Sequence, residues 1–158
     1  IMLTWTLPSI SAAANGLAPF DLRPFGYSQE DANAFLRALT ENGRALYLNI
    51  QHKLDIAYPA LLALTVASGI ALLVPTQSRF WKLALASIAV PGSLFDFREN
   101  ALVRQMLLAD PVSVEPELIS AASFATFMKS AFSAIALSTL LVLFLLWAYR
   151  RWKAAWPS

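Results

Sequence analysis

The chain has 158 residues, of which 58% are hydrophobic and 14% are charged, and its mean hydropathy is +0.55. This is the length of one domain, with more apolar surface than a soluble globule carries. A net charge of +2 without runs of like charge argues against a nucleic-acid partner, and the absence of cysteine excludes disulfides and thiolate metal sites. We therefore predict an all-α integral membrane helix bundle, with residues 1–158 forming a single transmembrane domain.

The first segment, residues 1–20, contains no charged residue but includes Pro8, Asn15 and Gly16. Its stretch SISAAANG is typical of a signal cleavage site, yet no basic region precedes it. We therefore predict a retained first span rather than a signal peptide. The bundle is expected to have three transmembrane helices, and this segment would supply a fourth.

The next segment, residues 21–53, is predicted to be a structured loop on the outer side of the membrane. Ser28, followed three residues later by Asp31, is close to a capping box and predicts the start of a helix. One apolar face follows at Ala32, Phe35, Leu36 and Leu39. Asn42-Gly43 predicts the end of this helix. We expect a short amphipathic helix that lies on the outer membrane surface or on the spans.

Three longer apolar segments follow, and we place the remaining spans at residues 54–74, 80–108 and 118–149. The last of them has no formal charge over residues 130–149 and ends in aromatic residues. The basic tail, residues 150–158, follows directly. An aromatic belt followed by basic residues is typical of a helix that leaves the membrane on the cytoplasmic side.

The charges of the loops predict the orientation. Arg79 and Lys82 lie between the second and third spans, whereas the stretch ADPVSVEPE before the last span has three acids and no base. The positive-inside rule then places the first of these loops and the C-terminus in the cytoplasm. The loop 21–53 is then predicted to lie on the outer side of the membrane, although it holds four basic residues.

The third span becomes polar unusually early, in the stretch VPGSLFDFREN. Between Lys82 and Asp96 there are 13 uncharged residues. As a helix they rise about 20 Å, against a hydrocarbon core of about 30 Å. Either the helix is interrupted at Pro91 and Gly92, or it carries its charges into the outer third of the membrane.

Counting about 1.5 Å per helical residue puts the acids of the second and third spans at a similar height to Lys129. We predict a polar cluster, or ligand site, at the outer end of the bundle, formed by His52, Asp55, Tyr58, Asp96, Glu99, Asn100 and Lys129. Lys129 is the natural counter-charge to Asp96 or Asp55. We favour an Asp96–Lys129 ion pair that holds the helices in register over a proton, ion or ligand site.

The sequence predicts no metal site and no catalytic residue. The available ligands, His52, Asp55, Asp96 and Glu99, are scattered over two helices without a recognised spacing. No phosphate-binding loop, dinucleotide fingerprint, serine elbow or zinc helix is present. We expect no cofactor, with a bound lipid or quinone as the alternative.

Four stretches occur in order before the last span: FDLRPFGYS (20–28), NGRALYL (42–48), LDIAYP (54–59) and FDFREN (95–100). Together they resemble a group of small uncharacterised bacterial multi-pass membrane proteins. The resemblance covers the chain from about residue 20. It implies a protein of the bacterial inner membrane, and it implies no catalytic residue because the group has no established activity.

Three functions are compatible with these patterns. The first is a non-catalytic accessory or structural subunit of a larger membrane complex, respiratory or photosynthetic, that docks through apolar helix faces. The second is a lipid- or quinone-binding protein, or an intramembrane enzyme, with an outer-leaflet pocket at Asp55, Asp96 and Glu99. The third is a proton-coupled transporter, which the uncharged inner halves of the second and last spans disfavour. Membrane lipids are partners in all three, and nucleic acid in none.

Overall fold

The computed structural model describes residues 1–155, which form helices joined by short loops, with no strand in that range. Three helical stretches are long and apolar enough to cross a membrane: Glu41–Leu73, Arg79–Leu108 and Pro116–Ala155. The all-α class and the three long apolar helices are thus confirmed.

The N-terminal segment forms a helix that is much shorter than these three. A π-helical turn, Met2–Thr6, leads into α1, Leu7–Ala12. Together they rise about 16 Å, roughly half of a hydrocarbon core of about 30 Å. The chain turns away at Asn15 and Gly16, whose φ angles of 55° and 84° lie in the left-handed region. The fourth span therefore stays a prediction.

The amphipathic helix begins where the capping pattern predicts. Ser28 Oγ accepts a hydrogen bond from Asp31 N at 3.0 Å, and the Asp31 carboxylate accepts one from Ser28 N at 3.2 Å. This capping box starts α2, Gln29–Ala38. The predicted apolar face is buried at all four positions: Ala32, Phe35, Leu36 and Leu39. It packs against residues of the long helices in one apolar core.

The predicted helix end at Asn42-Gly43 is wrong. Helix α2 ends at Ala38, and the next helix, α3 (Glu41–Leu46), already contains both residues in its first turn. The reason is a second N-cap, because Thr40 Oγ1 accepts a hydrogen bond from Gly43 N at 3.2 Å. Gly43 serves close packing instead, since a Cβ there would lie 2.5 Å from Ala13 Cβ.

The first two long helices each contain a local irregularity. A π-helical turn, Tyr47–Gln51, joins α3 to α4 (His52–Leu73). A 3-10 turn, Ser87–Ala89, joins α5 (Arg79–Ala86) to α6 (Val90–Leu108). The second irregularity precedes Pro91, which has no N–H to donate to the carbonyl of Ser87. The helix is therefore interrupted here, and it continues through Asp96 as α6. The depth of these charges in a membrane stays a prediction.

The last helix, α7, spans Pro116–Ala155 and has 40 residues. It includes the whole of the predicted span 118–149 and the described part of the basic tail; residues 156–158 of that tail lie outside the described range. At about 1.5 Å per residue it is about 60 Å long, twice the thickness of a hydrocarbon core.

Two apolar cores hold the bundle together, one towards each end. The first joins α2 to the C-terminal part of α6 and the start of α7, for example through Phe35, Met106 and Ile119. The second joins α4 to the α5–α6 junction and the middle of α7, for example through Ile70 and Ala136. Along each long helix, buried polar residues lie between the two cores, among them Asp55, Asp96 and Thr126.

Candidate functional site

A layer of buried polar side chains separates the two apolar cores. All three long helices and the N-terminal helix contribute, through Thr6, Gln51, Asp55, Asp96, Glu99, Asn100, Thr126 and Lys129. Glu99 is only 1% exposed, and Asp55 4%. Buried ionisable groups are costly unless they are paired or hydrogen-bonded, so the partners of each group define what the layer can do.

Lys129 of α7 contacts two carboxylates of α6. Its Nζ lies 3.4 Å from Asp96 Oδ1 and makes a closer contact with Glu99 Oε2. The other Glu99 oxygen, Oε1, accepts a hydrogen bond from Thr126 Oγ1 at 2.7 Å. The sequence paired Lys129 with Asp96 or Asp55; the structure brings it to Asp96 and, more closely, to Glu99. Asp96 and Glu99 are three residues apart on α6, and Thr126 and Lys129 are three residues apart on α7. This spacing puts each pair on one face of its helix, so the four side chains meet.

Among the described residues, Asp55 of α4 makes no salt bridge and accepts a hydrogen bond from a neutral side chain. Gln51 Nε2 donates to Asp55 Oδ2 at 3.2 Å, and Thr6 Oγ1 donates to Gln51 Oε1 at 2.5 Å. Asn100 Nδ2 donates to the backbone oxygen of Asp55 at 3.0 Å, which ties α6 to α4. Within residues 1–155 both salt bridges come from Lys129, and neither reaches Asp55.

A cavity of about 820 Å³ lies between the N-terminal helix, α4 and α7. Its polar side carries Asp21, Asp55, Asp96 and Lys129. The rest of the lining is mainly apolar and comes from residues 1–7 and from α4 and α7. The cavity opens at the surface of the bundle, where Tyr58 and Leu61 line it while being 50% and 62% exposed.

The residues of the predicted cluster divide into four groups. Asp55, Asp96 and Lys129 both belong to the polar layer and line the cavity, whereas Glu99 and Asn100 lie behind them in the layer. Tyr58 lies at the cavity mouth. His52 is half-buried and is not part of the lining; within residues 1–155 its side chain makes no hydrogen bond or salt bridge.

Several residues of the site were missed from the sequence. Asp21 lines the cavity, and Tyr47 Oη donates to its Oδ2 at 2.5 Å. Asp21 could have been found from the sequence because it directly follows an uncharged segment. The same pattern drew attention to Asp96. Gln51 and Thr126 were missed because neutral polar groups stand out little in an apolar helix. Gln51 lies one helical turn from Asp55, and Thr126 lies one helical turn from Lys129. This spacing from a predicted residue could have identified them.

The loop 21–53 closes the back of the layer at Tyr27. Ser123 Oγ donates to Tyr27 O and accepts from Tyr27 N, both at 2.8 Å. Burial, followed by the negative charge of Glu99, raises the pKa of the Tyr27 phenol well above its ordinary value. Tyr27 is therefore neutral at any physiological pH.

The donor groups do not form a metal centre. Over residues 1–155, no three His or carboxylate side chains are grouped so that they could hold a metal ion. Lys129 occupies the space between the two α6 carboxylates, Asp96 and Glu99. What the arrangement offers is a charged inner side next to apolar walls, which suits a ligand that is itself part polar and part apolar.

Comparison with known proteins gives no relative: the chain matches no family model, and no curated protein or solved structure is significantly similar to it.

Proposed function

We propose that the protein crosses a membrane with its three long helices and binds an amphiphilic, lipid-like molecule in the cavity beside α4. The observation that carries this proposal is the composition of the lining, with carboxylates and Lys129 on one side and apolar side chains on the other. Its volume, about 820 Å³, lies in the range of small-molecule sites. The open mouth would face lipid, so a ligand would enter sideways from the bilayer.

The loop charges support an orientation in the bacterial inner membrane. Arg79, Lys82 and the basic residues that end α7 would lie in the cytoplasm. The polar layer would then lie in the outer half of the bilayer, and α2 would lie on the outer side. In this arrangement the cavity takes its ligand from the outer leaflet.

We propose binding rather than catalysis because the polar groups of the layer are already engaged. Both oxygens of Glu99 have partners, Thr126 and Lys129. Asp55 accepts from Gln51, and Asp96 faces Lys129. Fixed groups of this kind hold a ligand in one orientation, which is the role of the few polar groups in a mostly apolar pocket.

The proposal is tested by filling the cavity. Ala57 lines it, whereas Ala60 is also exposed on α4 but lies outside the lining. We expect native mass spectrometry of the protein, purified in mild detergent, to show a bound lipid-sized molecule in the wild type and in Ala60→Phe. Ala57→Phe should lose it. Equal occupancy in the two variants, or no bound amphiphile in any of the three proteins, would overturn the proposal.

A second candidate function is lateral docking on a larger membrane complex, as an accessory subunit. It rests on the C-terminal half of α7, which continues past the apolar core at Ala136 and exposes a series of large apolar residues, among them Phe144, Trp147 and Trp152. The wild-type protein should then co-purify with the same membrane proteins in every preparation, and Trp147→Ala should lose them. Purification without a partner would leave the cavity as the sole functional feature.

A further inference from the structure

We propose that the head group of the ligand is a cation, an amine or quaternary ammonium, and that Asp55 and Asp21 bind it. This inference rests on the proposed function and adds the chemical class of the ligand. It follows from how charges are distributed around the cavity, from the positions of the neighbouring arginines, and from the order of polar and apolar groups along the lining.

The site has more carboxylates than cations. Four carboxylates, from Asp21, Asp55, Asp96 and Glu99, lie in or directly behind the cavity wall, together with one basic side chain, that of Lys129. Lys129 is shared by the two carboxylates of α6. Of the other two, Asp21 accepts a hydrogen bond from Tyr47 and Asp55 accepts one from Gln51, and both donors are neutral.

The nearest arginines do not compensate this excess. Arg23 Nε donates to the backbone oxygen of Ala18 at 3.0 Å, and its guanidinium lies 5.9 Å from the ring centre of Tyr27. Arg44 Nη1 donates to the backbone oxygens of Leu107 and Ala109. Neither arginine lines the cavity. A cation that contacts Asp21 and Asp55 would balance their negative charge, and the cavity that both residues line is where it fits.

The lining also orients such a ligand. Asp55 is 4% exposed and lies at the inner end, whereas Tyr58 and Leu61, on the next turns of α4, are largely exposed at the mouth. An ammonium group at Asp55 would direct its apolar chain past these two side chains towards the exterior. The face of an aromatic ring near the mouth also attracts cations, which favours the entry of a positively charged head.

The test uses three ligands with the same chain: octylamine, octanol and octanoate. The full-length protein in maltoside micelles, which carry no cationic group, is titrated with each ligand by calorimetry, and empty micelles are subtracted. We expect octylamine to bind at least about tenfold more tightly than octanol, because hydrogen bonds to charged groups are the strong ones. Octanoate should bind most weakly.

Neutral substitutions identify the groups responsible. Asp55→Asn and Asp21→Asn should each weaken octylamine binding by about tenfold and octanol binding much less, because octanol carries no charge. Glu30→Gln is the control, because it removes the same charge from an exposed position on α2 that is not part of the lining. Thermal unfolding of each variant checks that it folds. If Asp55→Asn does not fold, Asp21→Asn and the ligand series on the wild type decide the question.

The outcomes separate this inference from the proposed function. If the three ligands bind equally tightly, and Ala57→Phe blocks all of them, the cavity binds amphiphiles but the cationic head is wrong. If none of them binds saturably, both proposals fail. If octylamine binds preferentially but the effect of Glu30→Gln equals that of Asp55→Asn, the preference comes from the net charge of the protein, and the assignment to the cavity carboxylates is overturned.

Discussion

Replacing Lys129 by methionine should destabilise the bundle by about 3–5 kcal/mol, the cost of removing one partner of a buried ion pair. The structure puts the value in the upper part of that range, because two carboxylates lose their only cation. The side chains of Glu99 and Asp96 are 1% and 11% exposed, so water can do little to replace it. The assay is equilibrium unfolding with SDS in maltoside micelles, followed by far-ultraviolet circular dichroism.

Second substitutions identify which carboxylate depends on Lys129. Glu99→Gln should restore most of the stability of the Lys129→Met protein, because the amide oxygen still accepts from Thr126 while the buried charge is gone. Asp96→Asn should restore less, since Asp96 is farther from Lys129 and more exposed. Asp55→Asn should restore nothing. Equal rescue by the Asp55 and Glu99 substitutions would refute the pairing, and so would a Lys129→Met protein as stable as the wild type.

Three further predictions concern the rest of the chain. Single cysteines at Ser78 and Ser113 should react with an impermeant reagent from opposite sides of the membrane; reaction from one side contradicts the orientation. Gly26→Ala should lower the free energy of unfolding by about 1–3 kcal/mol, because φ is 82° and the new Cβ would lie 2.7 Å from Ser123 Oγ. An unchanged free energy of unfolding contradicts this packing. Hydrogen bonds from the N-cap lower the pKa of Asp31, so they stabilise α2 above the ordinary carboxylate pKa and are lost as acid protonates it; the exchange protection factors of the α2 amides should fall below about pH 4, and Asp31→Asn should abolish that dependence.

The sequence predicted those features that depend on local patterns. Uninterrupted apolar runs gave the three long helices, and the pair Ser28 and Asp31 gave the start of α2, since capping needs only neighbouring residues. Helical rise also brought Asp55, Asp96 and Lys129 to one level, because 1.5 Å per residue is nearly constant. These predictions needed no knowledge of how the helices pack.

The remaining features depend on how distant segments pack. Helical rise gives the height of Lys129 but not the rotation of α6 about its axis, which decides that Glu99 is its closer partner. The cavity needs the N-terminal helix as one wall, and that helix is positioned by the turn at Asn15 and Gly16. Asp21 joins the site only because of this turn. No periodicity within one segment contains that information.

Photochemical labelling tests most directly whether an amphiphile occupies the cavity. Octylamine with a diazirine in its chain is activated in nanodiscs that contain the wild-type protein, and the labelled residues are mapped by peptide mass spectrometry. We expect labels on the cavity walls, at residues 1–7 and 54–62, that disappear with excess octylamine. Labels spread over exposed apolar residues far from the cavity, such as Leu72 and Leu145, without competition, would contradict the account.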